Sequence, residues 1–174
     1  MLDFTEEDDF WPYIAEAFDR VDIYQTGEVF LETAAEFPEW KIDLLAIHWT
    51  GSEVTNGGLE QYFYNGTGIL APEAVAGFRK IGRNDFADVL QQAVDLLGEP
   101  YPRDREARFE RLTQLFSWLN LSSGSTESIG HFLESELGIT ITENPFEELN
   151  DRYFELEHFA PDAVRYAESN SESE

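Results

Sequence analysis

Apolar residues recur at three- and four-residue intervals over nearly every long segment of this chain, a period that builds packed helices and leaves almost nothing for a sheet. Trp40, Leu44, Ile47, Gly51 and Val54 form the seam of a buried helix opening near Pro38. Ile14, Phe18 and Val21 mark an earlier helix over about residues 9–24, after Pro12 and with Gly27 as its stop; a short helix is expected over residues 28–36. Ala71-Pro72 opens a helix carrying Val75, Phe78 and Ile81. Asn84 is placed to cap the next, whose stripe is Phe86, Val89, Leu90, Ala93 and Leu97 and whose end is marked by Gly98 and Pro100. Phe109, Leu112, Leu115, Phe116 and Leu119 give a further helix.

Residues 122–126 read as a turn-rich break and residues 129–137 as a short helix. Residues 139–142 alternate like a strand but are too short to found a sheet. Pro145 to His158 is expected to be helical with Phe146, Leu149, Tyr153 and Leu156 inward, and Pro161 opens the last helix. No internal repeat occurs. At 174 residues the length suits one domain, so the pattern predicts an all-α, irregular single-domain bundle of about seven to nine helices over residues 1–168, with a flexible acidic tail at 169–174.

Composition decides what such a bundle can meet. Hydrophobic residues make up 42% of the chain and aromatics 14%, ample for a core, yet 36 acids face only 11 bases for a net charge of −25. Without a basic stripe the chain is not expected to bind nucleic acid directly, and an anionic membrane surface is disfavoured for the same reason. No stretch approaches the ~18 apolar residues of a membrane span, and the N-terminus has neither a basic nor an apolar leader region, so a cytoplasmic protein is expected. The absence of cysteine excludes disulfides, thiolate metal sites and a cysteine nucleophile.

The acidity is also placed. Residues 1–60 carry 15 acids against 2 bases and residues 112–174 carry 13 against 2, whereas residues 61–111 carry 8 against 7. Within the acidic segments the carboxylates fall at helical spacing: Glu28, Glu32, Glu36, Glu39 and Asp43; Glu16 and Asp19, with Asp22 following; and Glu147, Asp151 and Glu155. Like charges three or four apart share a helix face and destabilise it by a few tenths of a kcal/mol per pair. Pro38 interrupts the first row between two helices. One reading of such rows is imitation of the DNA phosphates that Lys- and Arg-rich proteins recognise. The other is a solvated surface for solubility or an adaptation to high salt, and only the latter is weakened by a Glu count of 24 against 12 Asp.

Catalytic and metal constellations are not found. His48, His131 and His158 stand far apart, outside any zinc-protease spacing, and the Asp19…Asp22…Gly27-Glu28 stretch has calcium-loop composition without its spacing. With 36 acids, chance carboxylate pairs are everywhere and none is marked as buried. No catalytic residue, metal or cofactor is expected.

The most distinctive stretch runs Glu53-Val54-Thr55-Asn56-Gly57-Gly58-Leu59-Glu60-Gln61-Tyr62-Phe63-Tyr64-Asn65-Gly66-Thr67-Gly68. Asn56-Gly57-Gly58 should end the seam helix by allowing positive φ. The Tyr62-Phe63-Tyr64 cluster is expected to return to the core before Asn65-Gly66 turns again, and Gln61 and Asn56 can satisfy the backbone groups that the break exposes. This segment resembles the defining motif of a bacterial family with a domain of otherwise unknown function, whose characterised example is a dimeric DNA mimic. That motif is a Glu-Val, an Asn-Gly-Gly before a hydrophobic residue, a Gln, two aromatics and an Asn-x-x-Gly turn; Leu59 stands where the family often has an aromatic. The resemblance continues through Ala74-Val75, Ile81-Gly82 and Phe86 to Leu90, returns at Asn150 to Phe154, and spans about residues 40–165. It implies an all-helical homodimer without catalysis that occupies the DNA-binding site of a basic protein, a transcriptional regulator or nucleoid protein, and so acts as an inhibitor in transcription regulation. The alternative is an acidic antitoxin or immunity protein that neutralises a basic nuclease toxin.

Overall fold

The structure, a computed structural model, describes residues 9–118 and 144–172. Among these residues it contains eight α-helices and no strand: α1 (Trp11–Arg20), α2 (Gly27–Ala34), α3 (Glu39–Tyr64), α4 (Ala71–Lys80), α5 (Asn84–Leu96), α6 (Arg105–Trp118), α7 (Glu147–Phe154) and α8 (Ala160–Ser171). A 3-10 segment, Gly66–Leu70, joins α3 to α4. The expected all-α bundle is what forms. The break at 122–126, the helix at 129–137 and the alternating stretch at 139–142 lie outside the described residues.

The long seam helix organises the rest. All five seam residues are buried, and α1, α4, α6, α7, α8 and the 3-10 segment pack around α3. Gly51 is small because Phe159 lies against it: a Cβ there would stand 2.8 Å from Phe159 Cζ. Under α3 an aromatic cluster ties α4, α5, α7 and the start of α8 together. Phe78 and Phe86 stack at 5.0 Å, Phe159 meets each edge-on at 5.3 Å, and Tyr153 meets Phe86 edge-on at 4.9 Å. Such pairs add about 0.5–1.5 kcal/mol each beyond the area they bury.

Several boundaries differ from the expectation for local reasons. Helix α1 stops at Arg20 because Val21 turns extended (ψ 120°), and Gly27 begins α2 rather than ending α1. Thr26 caps α2, its Oγ1 accepting from Val29 N at 3.3 Å. Asn84 is the first residue of α5 and not its cap; Asp85 Oδ1 takes the Phe86 amide at 2.9 Å instead. The helix expected over 145–158 is confined to Glu147–Phe154, and α8 continues to Ser171, into the segment read as tail.

Asn56-Gly57-Gly58 bends α3 without ending it. Gly58 adopts φ 77° and ψ 177°, a region open essentially to glycine alone, and the helix resumes through Tyr64. The kink swings Tyr62 and Phe63 fully into the core.

Candidate protein-interaction surface

The five-residue row Glu28, Glu32, Glu36, Glu39, Asp43 does not form one face. Glu28 and Glu32 lie exposed on α2, where no cation of the described residues reaches them. Beyond the end of α2, Glu36 turns back toward α1 and pairs with Arg20 at 2.5 Å, which also holds Glu16 at 2.6 Å and lies 5.0 Å over the Phe37 ring. Asp19, on the same helix, is exposed and unpaired among the described residues.

Past Pro38 the row is partly neutralised, two carboxylates sharing one lysine. Lys80 of α4 bonds Glu39 at 2.8 Å and Asp43 at 3.0 and 2.8 Å. Asp43 is not a surface carboxylate: its side chain is 3% exposed, and Oδ2 also accepts from Tyr166 Oη at 3.0 Å. The helix turn that puts Asp43 four residues after Glu39 also carries it under α4 and α8, where burial pushes its carboxyl above the ordinary carboxylate range against the pull of Lys80. The hydrogen bond and charge of Lys80 hold exposed Glu39 below it.

The row Glu147, Asp151, Glu155 survives intact. All three are exposed on one side of α7 and at its C-terminal cap, with Glu148 exposed beside them, and none has a cation partner among the described residues. The opposite side of α7 is fixed by Leu149 and Tyr153 in the core, while Arg152 donates to Gln92 Oε1 of α5 at 2.9 Å. Four carboxylates over about 12 Å of helix come to roughly one per 3–4 Å, close to the ~3.4 Å per phosphate of one DNA strand.

The kink motif itself is a polar lock rather than a surface. Glu53 accepts from Gln61 Nε2 at 3.1 Å, Asn65 Nδ2 at 2.9 Å and Thr67 Oγ1 at 3.2 Å. Asn150 on α7 accepts the Leu59 amide at 2.9 Å and donates to Glu60 Oε2 at 2.9 Å; Asn144 donates to Glu60 Oε1 at 2.8 Å. The backbone freed by the kink is therefore served by Asn150, not by Gln61, whose amide goes to Glu53, nor by Asn56, which is exposed. The buried Tyr62 hydroxyl lies 3.0 Å from Thr50 Oγ1, and Thr50 donates to Ala46 O at 2.8 Å. Burial pushes the Tyr62 phenol far up.

His48 sits against Phe10, Trp11, Phe18 and Trp49, with ring centroids 5.4–6.2 Å away, and burial lowers its imidazole although the Asp9 charge opposes this. It is a partner in an aromatic cluster at the edge of the core. Sequence reasoning passed over two arginines on α6. Arg108 is 1% exposed, and with Arg105 it serves the carbonyls at the C-terminal end of α3: Arg105 Nε donates to Tyr64 O, and Arg108 Nε and Nη2 to Phe63 O and Asn65 O. A charged residue on an otherwise apolar helix stripe was the only sequence signal for Arg108.

Residues 35–170, more than three quarters of the chain, match the family model of DMP19-like proteins. The chain belongs to the DMP19-like protein family. No curated protein and no solved structure matches it. The family match takes in the kink motif, the Asn150 lock and the α7 row, and leaves α1, α2 and their carboxylates outside. Among the described residues, no helix is long and apolar enough to cross a membrane.

Proposed function

We propose that this DMP19-like protein is a DNA mimic: its carboxylates occupy the DNA-binding site of a basic DNA-binding protein, a transcriptional regulator or nucleoid protein, and block it. The observation that carries this reading is the set of exposed carboxylates Glu147, Glu148, Asp151 and Glu155 on α7, unpaired among the described residues and close in average density to the phosphates of one strand, on a helix whose other side is locked to the core. The net charge of −25 supplies long-range attraction to a cationic partner, and the resemblance of the kink motif to a DNA-mimic family supports the same reading. Glu28 and Glu32 of α2, and Asp19 of α1, extend the acidic surface. Glu16 and Glu36 share Arg20, and Glu39 and buried Asp43 share Lys80, so these four add less to the surface than their number suggests.

The reading needs no catalysis and no cofactor, and it places the protein in the cytoplasm with its target. It includes a homodimer joined through the low-charge 61–111 region, since two bodies this acidic must meet where charge is least. Light scattering at 20.0 kDa would reject that part.

The test is capture from native lysate at low salt followed by competition with duplex DNA. A basic DNA-binding protein, released by salt and displaced by DNA, supports mimicry. A basic nuclease toxin encoded beside this protein would point to immunity instead, and recovery of no basic protein would leave the acidity as a solvated surface.

A further inference from the structure

Against the prevailing charge, one small cavity of about 80 Å³ is lined by three arginines and no acid among the described residues. Its walls are the Ile23–Gln25 loop between α1 and α2, Gly66 and Ile69 of the 3-10 segment, Arg103 just before α6, and Arg105 and Arg108 in its first turn. Arg108 is the unusual one. A guanidinium this deeply buried is ordinarily paired with a carboxylate, because desolvating an uncompensated charge is expensive. Here every acceptor around it is a backbone carbonyl: Phe63 O at 3.0 Å, Asn65 O at 2.8 Å, Gly66 O and Pro102 O at 3.4 Å, and Arg103 O.

The neighbouring charges leave a positive excess. Arg103 is matched by Glu73 through two bonds, at 2.7 and 3.0 Å. Arg105 spends only Nε, on Tyr64 O at 2.9 Å, and lies over the Tyr64 ring at 4.8 Å, so neither of its terminal nitrogens has an acceptor among the described residues. The C-terminal end of α3 offers about half a negative charge against these two guanidiniums. Asp104, the residue before Arg105, accepts the Gly27 amide at 2.7 Å, and its single charge also acts on Arg108.

We propose that this cavity binds a phosphate group, held by the terminal nitrogens of Arg105 at its mouth and by the charge of Arg108 at its base, which no carboxylate among the described residues meets directly. A water's share of liquid volume is ~30 Å³, so a cavity of about 80 Å³ has room for a small tetrahedral oxyanion. The repulsion of the acidic surface is screened beyond about 8 Å, whereas the arginines line the cavity itself. Because the cavity lies between the loop that leads into α2 and the body of the protein, an occupied site ties that loop to α6. The proposal does not depend on the mimic reading.

The experiment is thermal unfolding of the full chain with inorganic phosphate against chloride at matched ionic strength, repeated with a phosphate monoester and with acetate. Phosphate should raise the midpoint along a saturating curve, as a ligand of the folded state does. Exposed Arg105 is replaced without touching the core: Arg105→Gln should weaken the apparent affinity about tenfold, the loss of one charge-assisted partner, and Arg105→Lys should restore part of it. Tighter binding of the monoester would mark an esterified phosphate as the natural ligand, and tighter inorganic phosphate the free ion. A midpoint no higher in phosphate than in chloride, or a phosphate effect undiminished in Arg105→Gln, would overturn the proposal.

Discussion

Replacing Asn150 by alanine tests whether the kinked motif is held from across the molecule. Asn150 closes a contact over 91 residues of sequence: its Oδ1 accepts the amide of fully buried Leu59, and its Nδ2 donates to the half-buried Glu60 carboxylate. Alanine strands the Leu59 amide where water does not replace the lost acceptor, which costs about 1–3 kcal/mol. Loss of one of the two amide donors to Glu60 adds about 1 kcal/mol or less, because that carboxylate is partly solvated. The sum, about 1–4 kcal/mol, is a sizeable share of the ~5–15 kcal/mol that holds a domain together. Urea unfolding should show the midpoint falling with the slope unchanged. Asn150→Asp sharpens the test, since it keeps the acceptor for Leu59 but sets a second carboxylate against Glu60. Two such groups cannot both ionise cheaply, so the folded pair holds a proton to higher pH than the unfolded chain does. Asn150→Asp should therefore approach wild-type stability as pH falls through the carboxylate range and lose it as pH rises, while Asn150→Ala stays low throughout. An Asn150→Ala loss under about 0.5 kcal/mol, the scale of an ordinary surface change, would refute the cross-chain lock.

Gly58→Ala should cost at least about 1–3 kcal/mol in the same assay, because φ is 77° and the new Cβ would stand 2.6 Å from Glu60 Oε2; a neutral result would contradict the kink geometry. Gly51→Ala should destabilise by about 1–3 kcal/mol by driving a methyl into the Phe159 ring, and pairing it with Phe159→Leu should recover part of the loss. Burial raises the Asp43 carboxyl, so its contribution to stability is complete below the unfolded carboxylate value and is lost as pH rises through the folded one. Asp43→Asn should thus gain on wild type with rising pH, and the opposite trend would reject the assignment. Reversing Glu147, Asp151 and Glu155 to lysine should weaken partner binding and flatten its salt dependence more than reversing Asp95, as read by titration of the captured partner at several salt concentrations.

The helical class, the buried seam of α3 and the glycine bend were legible in the sequence because each depends on residues close in the chain. A 3.6 period over Trp40 to Val54 can only bury one stripe of a helix, and Asn56-Gly57-Gly58 is permissive wherever it stands. The net charge and its concentration toward the two ends needed no fold at all. What spacing could not supply was the partner of each side chain. Glu39 and Asp43 look alike on a helical wheel, yet α4 and α8 cover one and leave the other in water. Glu147, Asp151 and Glu155 kept their face because nothing among the described residues packs over it, whereas Glu16 and Glu36 lost theirs to an arginine placed between two helices by the α1–α2 turn. Likewise Arg108 reads in sequence as one base among several, and only the convergence of α3, the 3-10 segment and α6 buries it against carbonyls. Which helices cover a charge is decided by packing between distant segments, and local periodicity carries no record of it.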